Sequence, residues 1–159
     1  MNIISRYIDW ILSIKNLHSF NNTKSVLLYT NIIFIITIIL VLIYKKNIKN
    51  NRIKHYMALI MLFLMTIISY KYHDCQCYSN KETKIFKWQK IDIIWSLILT
   101  VFFFTLYFKN INFYVLFLSG ISLFLFLTPS PHNDFQYVIF HSLWHITIGI
   151  ICLLLIIND

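Results

Sequence analysis

Apolar residues occur along this chain in long uninterrupted blocks rather than in short alternating runs. A helix needs about 20 such residues to cross the hydrocarbon of a bilayer, and five blocks approach or reach that length: residues 25–44, 55–72, 91–108, 111–128 and 135–157. Helices are favoured because every backbone polar group must be bonded inside the segment when lipid surrounds it. The pattern therefore predicts an all-α integral membrane bundle of about five transmembrane helices.

The residues before the first block follow a different pattern. Apolar side chains recur on one face of a helix that is too short to span the membrane: Ile3, Ile4, Tyr7, Ile8, Ile11 and Leu12. Such a one-sided stripe is typical of a helix that lies in the membrane interface. We therefore divide the chain into an N-terminal amphipathic interfacial segment, residues 1–24, and a single transmembrane bundle domain, residues 25–159.

Composition and charge agree with a membrane protein. The chain is 58% hydrophobic, and its 14 Lys and Arg residues outnumber its 6 Asp and Glu residues, for a net charge of +8. We attribute this excess to loops that contact phospholipid headgroups, and no basic run interleaved with exposed aromatic residues favours nucleic acid. Basic residues are densest after the first block: Lys45, Lys46, Lys49, Arg52 and Lys54. Since such residues favour the cytoplasm, we expect the N-terminus on the lumenal or extracellular side.

The last block contains the clearest chemical signal. It includes the sequence F-H-S-L-W-H-I, in which His141 and His145 are four residues apart. That spacing places both imidazoles on one face of a helix, one turn apart. Ionisable groups in a transmembrane helix are costly and usually serve a function. A bound metal is the simplest explanation, because neutral imidazole is a good zinc ligand.

Three more polar residues fall at the same membrane face if successive helices alternate in direction. His73 ends the second block, and Ser69 lies one turn deeper on the same helix face. Asp92 opens the third block, and one complete block separates it from the pair His141 and His145. An odd number of intervening spans returns the chain to the same face. The predicted topology therefore brings all of these residues together.

Three histidines from two helices suit a catalytic zinc site, which uses three protein ligands and leaves a fourth position for water. We assign His73, His141 and His145 as the metal ligands. Zinc lowers the pKa of its water towards ~7, which provides a nucleophile at neutral pH. Asp92 is suited to hold or deprotonate that water or to orient an imidazole, and Ser69 to stabilise a developing oxyanion. At this depth, the natural substrate is a lipid with an amide or ester bond.

Each of these residues also has a structural interpretation. His73 could be an interfacial side chain, Asp92 could cap the third helix, and Ser69 could bond back to its own helix. We expect the same back-bonding of Ser142. In that case the residues form a polar network in the core of a small channel or accessory subunit, without a metal.

The remaining histidines and the cysteines are less informative. Three histidines lie at or outside the ends of the blocks and are expected to be solvated: His18, His55 and His132. We expect Cys152, inside the last block, to be a small apolar core residue. Cys75 and Cys77 fall in the polar segment 74–90, which we expect to be a loop, and a disulfide across so short a spacing is strained. They could pair elsewhere, stay reduced, or join His73 in a metal-binding loop.

Taken together, the motifs resemble those of the CREST superfamily, which includes the alkaline ceramidases and the progestin and adiponectin receptors. The shared pattern is S-x-x-x-H at the end of the second span, an Asp that opens the third, and H-x-x-x-H in the last. Y-H-D-C at residues 72–75 and H-S-L-W-H at residues 141–145 are most similar to the myomaker and transmembrane-protein-8 branch. The similarity covers residues 25–157, spread over these separate motifs.

The resemblance implies a zinc ion held by His73, His141 and His145, with Asp92 and Ser69 beside the metal water. In the ceramidase and receptor branches this site is associated with hydrolysis of the ceramide amide. In the myomaker branch the same residues occur, and the known role is membrane fusion. The family has seven spans, whereas this sequence predicts about five, so a helical pair is missing between Asp92 and His141.

Two functions are consistent with the sequence. The first is a zinc-dependent membrane hydrolase that acts on an amide or ester bond of a lipid, with a ceramide-like substrate. The alternative is a non-catalytic membrane-remodelling or fusion protein, similar to myomaker, in which zinc is structural. A reduced bundle could also form an oligomer that covers its core.

Overall fold

The computed structural model describes residues 24–44, 52–79, 81–128 and 134–159. All regular structure within these ranges is helical. The helices are α1 (Lys24–Thr30), α2 (Ile32–Tyr44), α3 (Arg52–Tyr78), α4 (Glu82–Leu106), a 3-10 turn (Phe108–Asn110), α5 (Phe113–Leu127) and α6 (Asp134–Ile157). The predicted all-α membrane bundle is confirmed. Residues 1–23 of the predicted interfacial segment, together with His18 and His132, lie outside the described residues.

Four helical stretches are long and apolar enough to cross a membrane: Val26–Tyr44, Arg52–Tyr78, Glu82–Leu106 and Phe135–Ile157. The fourth predicted block forms the shorter apolar helix α5, of 15 residues. Large apolar side chains face outwards from these helices, and Ile43 and Val101 are each 65% exposed. Exposed apolar surface on this scale is typical of a protein surrounded by lipid.

Residues 74–78 and 82–90 are helical, so the prediction of a polar loop over 74–90 is wrong. α3 continues to its last turn at Tyr78 and α4 begins at Glu82, which leaves only a short connection. Lysines on the outer face gave this segment its polar character and concealed the helix. The buried side chains of α4 recur at helical spacing from this segment into the membrane: Ile85, Gln89, Asp92, Leu99 and Phe103.

The first span is interrupted at Asn31, between α1 and α2. The backbone N–H of Asn31 bonds to the carbonyl oxygen of Leu28 (3.3 Å), three residues back, rather than continuing the four-residue ladder. The carbonyl oxygen of Leu27 instead accepts hydrogen bonds from Thr30 Oγ1 (2.9 Å) and Asn31 Nδ2 (3.3 Å). Such side chains compete with the helix ladder and bend the helix. The bend therefore follows from the Thr-Asn pair.

The last helix, α6, lies at the centre of the bundle. It packs against α1, α2 and α5, while α3 packs against α2 and α4. At Gly149 the approach is close: Thr37 Oγ1 donates a hydrogen bond to the Gly149 carbonyl oxygen (3.2 Å), and an added Cβ atom would lie 2.7 Å from Ile33 Cγ1. The missing side chain lets α2 and α6 pack closely, as small residues do at helix interfaces in membranes.

A polar cluster joins the ends of α3 and α6 to the end of α4. His55 Nδ1 lies 3.2 Å from Tyr107 Oη, His55 Nε2 lies 3.5 Å from Asp159 Oδ2, and Lys54 forms an ion pair with Asp159. His55 is only 7% exposed, so the expectation that it is solvated is wrong. The physical reason is that Tyr107 and Asp159 provide polar partners at this end of the bundle.

Substitution of the two glycines tests the packing of α2 on α6. Gly149→Val should destabilise the protein by about 1–3 kcal/mol, because the added atoms overlap Ile33 in a packed interface. Gly120→Val is the matched control, since a Cβ atom at Gly120 meets nothing within 4 Å. Thermal unfolding of the detergent-purified variants measures the difference, and equal melting temperatures would contradict the close packing.

Acid should weaken the cluster at Asp159. Burial alone raises the pKa of Asp159, but hydrogen bonds from Lys54 and Asn110 and the charges of Lys54 and His55 outweigh burial and lower the pKa. A carboxyl group with a lowered pKa stabilises the fold above its unfolded value of about 4, and this stabilisation is lost as the pH falls through the folded value. We expect the melting temperature to fall between about pH 5 and pH 3, and to fall less in Asp159→Asn.

Asp74→Asn is the control for this experiment. It removes a part-exposed carboxylate that pairs with Lys71 on the same helix (3.3 Å) and lies outside the cluster. The control should keep the wild-type dependence on pH. An undiminished fall in Asp159→Asn would exclude the assigned role of Asp159.

Candidate functional site

Three buried histidines meet between α3 and α6. His73 comes from α3, and His141 and His145 come from successive turns of α6. The centroid of the His73 ring lies 5.0 Å from that of His141 and 5.2 Å from that of His145, and the two α6 rings are 4.7 Å apart. One nitrogen from each ring lies within 4.8 Å of the other two. The structure thus brings together the three predicted metal ligands from remote parts of the chain.

The cluster fits a metal ion. His73 Nε2 and His141 Nε2 are buried and have no hydrogen-bonding partner among the described residues, and a buried polar atom without a partner is unfavourable. Zinc–nitrogen bonds of about 2 Å would bring the three donors within ~4 Å of one another. The observed separation of up to 4.8 Å is slightly wider, and small rotations of the rings would close it. We therefore treat the cluster as a candidate metal centre.

Asp92 contributes a negative charge beside the histidines. It is 5% exposed, and its Oδ1 atom has no partner among the described residues. Its carboxylate is hydrogen-bonded to Ser69, whose Oγ lies 3.5 Å from His145 Nε2. No buried side chain in the described part of the chain is a lysine or arginine. Because a buried carboxylate is unfavourable without a nearby cation, a metal ion held by the histidines would stabilise Asp92.

Two structural interpretations of single residues are wrong. Asp92 cannot cap the third helix, because α4 begins at Glu82 and Asp92 lies well inside it. Ser142 does not bond back to its own helix, since its buried Oγ has no partner among the described residues. Ser69, by contrast, contacts Asp92 and approaches His145. The position of Asp92 inside the helix is what brings it level with the cluster.

Gln76 holds the ring of His73 through the Nδ1 atom. His73 Nδ1 lies 2.9 Å from Gln76 Oε1, and both residues are fully buried. The amide nitrogen of Gln76 donates hydrogen bonds to the hydroxyl groups of Tyr72 (3.2 Å) and Tyr137 (3.3 Å). This network links α3 to α6 and leaves His73 Nε2 as the ring nitrogen that has no partner among the described residues.

His145 is held in a similar way from the first span. His145 Nδ1 lies 3.1 Å from Thr30 Oγ1, which stands at the end of α1 next to the bend. The edge of the same imidazole packs against the Phe34 ring, at a centroid distance of 5.8 Å. Helices α1, α3, α4 and α6 therefore all contribute a polar side chain at the level of the cluster.

An apolar groove leads away from the histidines. α4 packs along α3 and α5 packs along α6, and a cavity of about 350 Å³ lies between these two pairs of helices. Asp92, Tyr137 and His141 line one part of it, and it extends along apolar side chains to Leu155. Leu97 lines the cavity and is 63% exposed, so the groove opens towards the surrounding lipid. Its volume lies in the usual range for small-molecule sites.

The neighbouring cysteines are separate from the metal centre. Cys75 and Cys77 lie in the last turns of α3 rather than in a loop, and both are buried and reduced. Cys75 packs in an apolar cluster with Ile85, whereas Cys77 packs in another with Leu27. Side chains two apart on a helix point in different directions, which explains the separation. Cys152 packs in the main apolar core, as predicted.

Thr30 and Gln76 are not predicted from the sequence. Gln76 carries a usable signal, because it lies three residues after His73 on the same helix face. Thr30 carries none, since its partner is 115 residues away along the chain. Tyr72 and Tyr137 resemble the many other aromatic residues of the spans in sequence and are distinguished by their contacts with Gln76 and with the histidine rings.

Comparisons of the chain with protein-family models, with curated proteins and with solved structures find no match. A function for this chain is therefore inferred from the geometry of the site and from the motifs at residues 72–75 and 141–145.

We expect the purified protein to bind one metal ion per chain, and the three imidazole donors favour zinc. His73→Ala and His145→Ala should each lose at least nine-tenths of the bound zinc, because two remaining donors bind weakly. Elemental analysis after dialysis measures the metal content.

His55→Ala is the matched control for metal binding. His55 is also a buried histidine, but it belongs to the cluster with Tyr107 and Asp159. Its substitution should leave the zinc content unchanged. Full zinc content in His145→Ala, or loss of zinc in His55→Ala, would contradict the assigned ligands.

Proposed function

We propose that the protein is a zinc-dependent membrane hydrolase that cleaves an amide or ester bond of a lipid. The decisive observation is that a cluster of three buried histidines borders, through His141, the same lipid-facing groove that the buried carboxylate of Asp92 lines. We assign His73, His141 and His145 as the zinc ligands and Asp92 and Ser69 as the catalytic groups.

The chemistry divides between the metal and the two side chains. Zinc bound by three imidazoles would polarise a carbonyl group and activate water near neutral pH. As the oxygen of the attacking water bonds to the carbonyl carbon, Asp92 accepts a proton from that water. Asp92 Oδ1 is available for this step because no other described residue engages it. When the bond to the leaving nitrogen or oxygen breaks, Asp92 returns that proton to the leaving group. Once Asp92 holds that proton, the hydroxyl hydrogen of Ser69 is released to donate a hydrogen bond to the oxygen on which negative charge develops.

The groove supports a lipid as the substrate. Its walls are mostly apolar, with a few serine and threonine side chains among them, so an acyl chain in the groove would place its carbonyl carbon beside Asp92 and His141. The lining residues 89–104 of α4 cover about 22 Å at 1.5 Å per residue. A ceramide-like lipid, in which an amide joins an acyl chain to a polar base, meets these requirements.

We also propose a family for the chain and an orientation for it in the membrane. The motifs at residues 72–75 and 141–145, with Asp92 between them, support membership of the CREST superfamily by resemblance. The basic residues between the first two spans favour the cytoplasm for the opposite end of the bundle. We therefore place the metal site on the lumenal or extracellular side.

A non-catalytic membrane-remodelling or fusion protein is the alternative. It is favoured by the two motifs, which are most similar to the myomaker branch. In this case zinc would hold α3 and α6 together without chemistry, and the groove would not turn over a lipid. Zinc content alone does not separate the two functions, because both include the metal.

Turnover of lipids separates them. Purified protein in mixed micelles should release fatty acid from at least one member of a panel of ceramides, other sphingolipids and glycerolipids, as measured by mass spectrometry. Asp92→Asn should reduce the rate by about 10²–10⁴-fold, because the proton acceptor is lost, and should still bind zinc.

Asp74→Asn is the control, since Asp74 pairs with Lys71 and is not part of the site. It should keep the wild-type rate. Equal rates in Asp92→Asn and the wild type would exclude the proposed role of Asp92. An absence of turnover for every lipid, with fusion or altered membrane shape in expressing cells, would instead favour the remodelling function.

A further inference from the structure

We propose that Thr30 and Gln76 are positioning residues that hold two of the histidines in the ring tautomer required for metal binding. Each would keep the proton of its histidine on Nδ1 and leave the lone pair on Nε2 for the ion. The inference rests on the proposed function only for the presence of a metal, and it does not depend on hydrolysis.

Thr30 can only accept a hydrogen bond from His145. A threonine hydroxyl has a single hydrogen, and that of Thr30 is donated to the carbonyl oxygen of Leu27 (2.9 Å). The contact of 3.1 Å between Thr30 Oγ1 and His145 Nδ1 therefore requires the proton to be on the ring nitrogen. His145 Nε2 then carries a lone pair on the side of Ser69 and the other imidazoles.

The bend in the first span is what makes Thr30 available for this contact. In an unbroken helix, the carbonyl oxygen of Leu27 would bond to the backbone N–H of Asn31. Here that N–H bonds to Leu28, and the oxygen of Leu27 accepts from Thr30 and Asn31 side chains instead. The freed carbonyl engages the hydroxyl hydrogen of Thr30, which turns the oxygen lone pairs towards α6.

Gln76 imposes the same constraint on His73 by different means. Its amide group has two hydrogens, and its nitrogen donates to the hydroxyls of Tyr72 and Tyr137. With the amide nitrogen on the side of the two phenols, Oε1 faces His73 Nδ1 at 2.9 Å. A carbonyl oxygen only accepts, so Nδ1 carries the proton and the unpaired Nε2 carries the lone pair.

Both histidines are held with the proton on Nδ1 and the lone pair on Nε2. If either ring adopted the other tautomer, an N–H bond would point at the ion, and the ligand would be lost until the proton moved. Partners that orient metal-binding histidines typically contribute 10–100-fold to metal affinity. Two unrelated partners from different helices both leave a lone pair on Nε2, and a metal ion bound through these nitrogens requires that lone pair.

Paired substitutions at Thr30 test the inference. Thr30→Val has nearly the same shape but cannot accept the hydrogen bond, whereas Thr30→Ser keeps the hydroxyl. We expect the dissociation constant for zinc, measured by competition with a chelator, to rise about 10–100-fold in Thr30→Val and to stay within about threefold of wild type in Thr30→Ser.

Gln76 offers an independent pair. Gln76→Met removes the acceptor at similar volume and should weaken zinc binding by a comparable factor, whereas Gln76→Glu keeps an acceptor and should restore the affinity. The visible absorption spectrum of the cobalt-substituted protein reports the ligand geometry, and it should change in Thr30→Val and Gln76→Met but not in their conservative partners.

The outcomes are distinguishable from failure of the proposed function. If the wild-type protein binds no zinc, the metal site itself is wrong, and this inference is overturned with it. If the wild-type protein binds zinc and both Thr30→Val and Gln76→Met keep its affinity and cobalt spectrum, only the positioning role is overturned. A lower melting temperature of the metal-free variants with unchanged affinity would likewise overturn it, because that is the effect of a structural contact.

Discussion

A polar side chain inside a bilayer must find its partners within the protein, and this requirement organises the level of the bundle at which the histidines lie. Lipid tails cannot satisfy an imidazole there. The described helices place polar side chains at the same level of the bundle: Thr30, His73, Asp92 and His145. The packing of α1, α3, α4 and α6 brings these groups close together. The same need for polar partners therefore shapes both the fold and the site.

The spans and the convergence of the site residues could be predicted from the sequence because both depend on local properties. Hydropathy locates the helices, and the alternation of helix direction decides which residues share a membrane face. These two properties are enough to predict that His73, Asp92 and the histidine pair in α6 lie at the same membrane face. The prediction of a loop at residues 74–90 is wrong because the average polarity of this segment hides its helical periodicity. The buried positions Ile85 and Gln89 already continue the helical face that Asp92 occupies.

Other features could not be predicted because they depend on contacts between remote segments. The burial of His55 requires Tyr107 and Asp159 to reach the same end of the bundle. The role of Thr30 requires both the local bend at Asn31 and the position of α6. The groove is set by how far one pair of helices stands from the other, which no single segment encodes. Local patterns in the sequence thus identified the three histidines and Asp92, but they could not identify Thr30, whose partner lies 115 residues away.

The shortness of α5 has a consequence for the membrane itself. Its 15 residues cover about 22 Å, whereas the hydrocarbon core of a bilayer is about 30 Å thick. Hydrophobic mismatch of this size is relieved when the bilayer thins locally or polar flanking residues reach inwards. Along this wall of the groove, headgroups and water would therefore lie deeper than elsewhere around the protein, and closer to the level of the histidines.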